Sequence, residues 1–174
     1  VLRSGTTRRW ITSLAAFERT WARANYWALV ILPPNQIPKT AEPLRYLKVA
    51  LELEQTGQAG SADGAYQAAA RRGTESSRIW LALGNATYQR HQFRESADAF
   101  LNAIRLEPTN VAGWNNLAYV LLEVGCPMQA SRAIDCASVL APLDMNIQAS
   151  RKEIKAGASG RDRSGCPQVQ CPVP

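Results

Sequence analysis

The chain has 174 residues, 46% of them hydrophobic and 20% charged, with a formal net charge of +6. This is the composition of a globular protein with room for one ordinary domain or two small ones; no apolar run approaches the roughly 18 residues that would span a membrane, and no signal peptide is evident. The charge lies at the ends: residues 1–42 hold six cations against two acids and 145–174 five against two, while 43–144 hold nine against ten. A near-neutral middle lacks the basic stripe of a nucleic-acid binder, so nucleic acid is not expected as a partner.

The sequence begins at Val1 without a methionine and inside an apolar, strand-like run, from which a processed chain or a piece of a longer protein is expected. Val1–Ser4 and Trp10–Thr12 read as two short strands around a Gly5-Thr6-Thr7-Arg8 turn. Ser13 stands where a helix N-cap would, and Leu14, Phe17 and Trp21 recur at helical spacing over about three turns, with Asn25 as the stop. Tyr26–Leu32 is a continuous apolar run, the pattern of a strand buried on both faces, and Pro33-Pro34 ends it. A β-β-α-β segment of this size buries too little surface to stand alone. It needs a partner, either the rest of a larger domain or the helices that follow. Residues 35–42, with Pro38 following Pro33-Pro34 and no aromatic residue, read as a linker.

From residue 43 the pattern becomes helical and repeats three times without a gap, over 43–76, 77–110 and 111–144. The middle window carries Trp80, Leu83, Gly84, Tyr88, Phe93, Phe100, Ala103 and Pro108. The third carries Trp114, Leu117, Ala118, Gly125, Ala130, Ala137 and Pro142 in the same register. In the first, Tyr46, Val49, Ala50 and Leu53 form one stripe, Gly57 breaks it, and Ala62, Tyr66 and Ala69 form the second. Small residues alternate with large ones as close helix packing requires. Gly60, Ser61 and Gly64 lower helix propensity, so the start of the second helix of the first window is expected to fray. Residues 145–157, with Ile147 and Ile154 apolar among polar neighbours, read as a capping helix with one wet face. Residues 158–174, rich in Gly, Ser, Pro and Arg, are expected to be disordered.

Cys126 and Cys136 lie ten residues apart, about 15 Å along a helix. A disulfide tolerates roughly 7 Å between α-carbons, so these two are not expected to pair with each other. Cys166 and Cys171, spaced C-x4-C in the Pro-rich tail, leave three readings: a small loop disulfide, half of a metal site, or free thiols. No second ligand pair follows them, and free thiols are the reading taken. Nothing in the sequence calls for a metal or another cofactor.

The period near 34 residues and the Trp-x2-Leu-Gly and Trp-x2-Leu-Ala starts resemble tetratricopeptide repeats, helix-turn-helix units that stack into a right-handed α-solenoid. The resemblance implies a mainly α fold of three repeats with a capping helix. It further implies that the array holds a protein or extended peptide in its concave groove, lined by the first helix of each unit. Carried over position by position, the groove residues are Arg78, Leu81, Asn85, Tyr88 and Gln89, then Asn115, Tyr119, Leu122 and Glu123, with Leu47, Leu51, Glu54 and Gln55 in the first repeat. Asn85 with Asn116 matches the amide pair of the family's clamp for chaperone tails. The clamp's cations are missing, since Leu81, Asn146 and Ser150 stand where lysine or arginine is required, and capture of a terminal carboxylate is not expected.

The N-terminal Val-Leu-Arg-Ser-Gly, then Ser-Leu-x2-Phe-Glu-x-Thr-Trp and Tyr-Trp-Ala-Leu-Val-Ile-Leu-Pro-Pro, resemble the last strands and helix of a bacterial C39-like, papain-fold cysteine peptidase domain. This implies a bacterial envelope or periplasmic setting, with the repeats as an accessory that positions substrate or partners. The family's cysteine and histidine would lie upstream of Val1, and where many members place an acidic residue this chain has Arg3-Ser4. The chain itself is therefore not expected to be an enzyme. Thiol catalysis needs a histidine beside the cysteine, and the only histidine, His91, occupies the turn position filled by Gly57 and Gly125 in the other repeats. Adjacent helices sit 8–10 Å apart, too far for His91 to serve Cys126 one repeat on.

Overall fold

The computed structural model describes residues 2–4, 7–10, 13–23, 33–37 and 41–172. The chain divides into two units, Val1–Leu32 and Pro33–Pro174. In the first, β1 (Leu2–Ser4) pairs antiparallel with β2 (Thr7–Trp10), setting Leu2 against Trp10 and Ser4 against Thr7. The second strand thus starts earlier than the Trp10–Thr12 expected, because pairing Ser4 with Thr7 draws Thr7–Trp10 into the ladder. Helix α1 (Leu14–Arg23) follows, and the Ala16 amide donates to Ser13 Oγ at 3.2 Å, the expected N-cap. The strand anticipated at Tyr26–Leu32 lies outside the described residues.

The second unit is a solenoid of seven helices: α2 (Pro43–Gln55), α3 (Ala59–Arg72), α4 (Ser77–Gln89), α5 (Phe93–Leu106), α6 (Val111–Glu123), α7 (Pro127–Leu140) and α8 (Met145–Gly157). Each packs on the next. In addition α2 touches α4, α4 touches α6 and α6 touches α8, whereas no such contact joins α3 to α5 or α5 to α7. The even-numbered helices therefore line the inside of a curve and the odd-numbered ones splay on its outside.

Equivalent residues in successive repeats make equivalent bonds. The Trp80 indole donates to the Thr74 carbonyl at 3.0 Å, and the Trp114 indole to the Pro108 carbonyl at 2.7 Å. The turns after α2, α4 and α6 each need a left-handed residue, supplied by Gly57 (φ 76°), His91 (φ 59°) and Gly125 (φ 80°). The main core runs from Phe100 and Ile104 through Trp114, Leu117, Val120 and Leu121 to Ile134 and Ile154, and a smaller one gathers Ala50, Ala62, Ala65, Tyr66 and Ala86. Gly84 lies against the Phe100 ring, where a β-carbon would come within 2.6 Å. The bare helix face there admits an aromatic ring.

Three expectations are corrected. The first turns of α3 are helical: Gly60, Ser61 and Gly64 lie inside Ala59–Arg72, and Gly64 accepts the close approach of Asn35, whose Cβ would stand 3.2 Å from an added β-carbon. The start of the linker is not a bare connector. The Tyr46 hydroxyl binds the carbonyls of Pro34 and Gln36 at 3.0 and 2.7 Å, and Ile37 packs with Ile79 and Ala69.

The largest correction concerns the tail. Residues 158–172 are not disordered and their cysteines are not free: Cys166 is bonded to Cys126, the residue at the N-cap of α7, and Cys171 to Cys136 within that helix. Ten helical residues rise about 15 Å and five extended residues about 16–17 Å, so the two spacings match when the tail runs parallel to α7. Between the two bridges Val169 is buried and its amide donates to Gln129 Oε1 at 2.9 Å. Asp162 caps the start of α7 by accepting from the Met128 amide at 2.7 Å, and the Arg163 amide donates to the Gly125 carbonyl at 3.1 Å. The cavities beside this strap are walled by Arg94, Ala97, Leu101 and Ile104 of α5, so it occupies the gap that curvature leaves between α5 and α7. As expected, Cys126 and Cys136 do not pair with each other.

Candidate functional site

The curve brings five of the candidate groove residues together. Asn85, Tyr88 and Gln89 from α4 and Asn116 and Tyr119 from α6 line a cavity of about 350 Å³, with the buried Phe100 of α5 behind them. The spacing explains the grouping: positions three and four apart share one helix face, and the contacts between α4 and α6 set the two faces edge to edge.

The amides form a chain. Asn115 Nδ2 donates to Asn116 Oδ1 at 3.1 Å, and Asn116 Nδ2 to Asn85 Oδ1 at 2.9 Å. Asn85 is exposed, and its Nδ2 donates to no described residue. The chain therefore ends in a donor available to an incoming carbonyl. Tyr88 stacks edge-on against Phe93, centroids 5.5 Å apart, and the Tyr119 hydroxyl donates to Glu153 Oε2 at 2.7 Å. Burial and the carboxylates of Glu123 and Glu153 push the Tyr88 hydroxyl above its usual pKa, and burial with the Glu153 bond does the same at Tyr119. Both phenols stay protonated at neutral pH.

The other candidates stand apart from this cavity. Arg78 is exposed in the first turn of α4, and Leu81 packs against the main core. Asn115 reaches the cavity only through Asn116. Leu122 closes against Gly157 of α8, 3.3 Å from where a β-carbon would stand. Glu123, exposed, lines a neighbouring cavity of about 330 Å³ with His91, Arg94 and Arg163. In the first repeat Glu54 is occupied, accepting from the Tyr66 hydroxyl at 2.7 Å and lying 3.9 Å from Arg90, which also pairs with Asp63.

Glu153 and Phe100 were absent from the sequence-derived groove. Glu153 carried a signal: Asn85, Tyr119 and Glu153 are spaced by one period of 34, so extending the repeat one step into α8 places the carboxylate in line with the other two. Among the described residues no group of His, Cys, Asp and Glu is placed to hold a metal ion, and no helix is long and apolar enough to cross a membrane.

Residues 99–130 match the family model described as tetratricopeptide repeat. No curated protein matches the chain in sequence. Among solved structures, the first TPR of Spaghetti (RPAP3), bound to the HSP90 peptide SRMEEVD, is similar with a TM-score of 0.62 at 13% identity, covering 68% of this chain and 94% of that one. The Yersinia enterocolitica type III secretion chaperone SycD, in complex with a peptide of the translocator YopD, gives 0.60 at 17%, covering 69% and 98%. MamA gives 0.60 at 17%, covering 82% and 70%. The helices from α2 onward thus have the tetratricopeptide-repeat fold, a mainly α solenoid.

Proposed function

We propose that this chain is a peptide-binding tetratricopeptide-repeat module, C-terminal in a larger protein, that takes an extended segment of a partner protein along its concave face. The observation that carries the reading is the amide chain from Asn115 through Asn116 to Asn85, ending on a free donor at the edge of a polar and aromatic cavity. Backbone carbonyls and amides of an extended peptide need partners of this kind, and Tyr88 and Tyr119 offer flat faces with polar tips beside it. Two of the similar folds above hold peptides, which supports the same use of this one. The two disulfides fit a chain that works where thiols oxidise.

The test is substitution of Asn85, Tyr88 and Tyr119 by alanine, with partner pull-down and thermal stability measured together. Binding should fall while the fold holds. Unchanged binding on an unchanged fold rules the groove out.

A second reading makes the repeats an accessory of a C39-like cysteine peptidase. The observation in its favour is the order of β1, β2 and α1, which matches the order implied by the resemblance of residues 1–34. A reading frame extended upstream of Val1 that holds no cysteine followed by a histidine removes it.

A further inference from the structure

We infer that the segment bound in this groove presents a lysine or arginine side chain to Glu153 of α8, the carboxylate joined to Tyr119 at the edge of the cavity. This rests on the peptide-groove reading and adds the chemistry of what is read. The cavity walls are amides, two phenol rings and the buried Phe100, with no cation among them. Glu153 of α8 is not one of these walls, but it is bonded to the hydroxyl of Tyr119, which is. Because the Tyr119 hydroxyl donates to Oε2, the carboxylate is held in place while Oε1 keeps its acceptor sites open.

The acids of the groove divide into two kinds. Glu54 is already matched, by the Tyr66 hydroxyl and by Arg90. Glu153 and Glu123 form no ion pair with a described residue. Of the three cations on α8, Arg151 and Lys155 are committed to Asp135 on α7 at 2.8 and 2.6 Å, and Lys152, next to Glu153 in sequence, projects from a different side of the helix. Arg94 and Arg163 share the outer cavity with Glu123, so Glu153 is the stronger anchor. The upward shift at Tyr88, caused by burial and then by these two carboxylates, reads the same local field. It also keeps the ring neutral, with its π face available.

Carboxylate and aromatic faces together select a cation. A lysine or arginine stem lies along apolar surface while its head reaches outward, and the head then gains a charge-assisted hydrogen bond and the ring quadrupole at once. A segment ending in an acidic tail meets the opposite situation. Its carboxylates would face Glu153 and Glu123, and Leu81, Asn146 and Ser150 offer no compensating charge, so the same groups that attract a cation reject an acid.

The test is selection of random linear peptides displayed on phage against the full chain, followed by fluorescence anisotropy on synthetic copies of those enriched. One position should be enriched in lysine or arginine, and replacing it with norleucine should weaken binding about tenfold. Glu153→Gln, which keeps the shape and the bond from Tyr119, should weaken the lysine peptide by a similar factor and leave the norleucine peptide unchanged. Thermal unfolding of the variant checks that the fold holds. Peptides that bind, lose binding in Asn85→Ala and show no preference for a cation overturn this inference alone. If no peptide is enriched, or if binding ignores Asn85→Ala, the groove reading and this inference fall together.

Discussion

Tyr119 and Glu153, one period apart on α6 and α8, are joined by a hydrogen bond of 2.7 Å that ties the capping helix to the last full repeat. A bond to an ionised acceptor is stronger than a neutral one, but both groups are exposed enough to recover water when it is lost. Tyr119→Phe should therefore cost about 0.5–1.5 kcal/mol. Urea unfolding followed by tryptophan fluorescence measures it, and a midpoint equal to that of the parent chain would mean the bond contributes nothing.

The helices and the inner layer were legible because both follow from one periodic signal. Trp80 and Trp114 repeat in sequence and repeat the same bond in space, and His91 falls where Gly57 and Gly125 do and takes the same left-handed turn. Asn85, Tyr88 and Tyr119 were legible for the same reason. The tail was not. Its composition is that of a solvated chain, and what orders it is non-local: two disulfides spanning 40 and 35 residues and an amide from Val169 to Gln129. Spacing rules out a bond between Cys126 and Cys136 but cannot choose their partners. Glu153 was missed because the repeat was stopped at its last complete unit instead of being carried into α8.

Gly84 and Gly60 should respond oppositely to alanine. At Gly84 the new methyl meets Phe100 ring carbons at 2.6–2.9 Å, and that ring is 1% exposed with nowhere to move. A loss of about 1–3 kcal/mol is expected. Nothing lies within 4 Å of a β-carbon at Gly60 in α3, so Gly60→Ala should gain up to about 1 kcal/mol from helix propensity alone. Chemical denaturation of the two variants side by side checks both signs.

His91 adopts φ 59° with its side chain exposed. A β-carbon in that region costs about 1–2 kcal/mol, whereas glycine gives back part of the gain through the entropy of the unfolded chain. His91→Gly should therefore raise stability by about 0.5–1 kcal/mol. A lower melting temperature would show that the contact of the imidazole with Phe93, centroids 5.5 Å apart, outweighs the backbone cost.

The strap should hold only while oxidised. Loops of 40 and 35 residues correspond to about 4 kcal/mol each in the loop-entropy account, less when both are present because the loops overlap. Thiol titration of the denatured chain should find no free cysteine before reduction and all four after it. Cys136→Ser with Cys171→Ser should lower the urea midpoint and admit proteases to residues 158–172. Full protection of the tail after reduction would mean that Val169 and Asp162 suffice without the bridges.

Asp135 gives the pH dependence a sign. Burial pushes its carboxyl up, but hydrogen bonds from Lys155 and Arg151, and their charges, outweigh burial and hold it below the ordinary value. A carboxyl whose pKa is lower folded than unfolded stabilises the protein above the unfolded value of about 3.9, and that stability is lost as pH falls through the folded value. Side chains 37–47% exposed are well screened, so the contribution is about 0.5–1 kcal/mol. Asp135→Asn should accordingly lower the unfolding free energy at pH 7, lose less at pH near 4, and match the parent chain near pH 2. The measurement is a set of urea titrations across that range. A difference between the two proteins that stays constant with pH would place the effect in packing between α7 and α8 and not in the ion pairs.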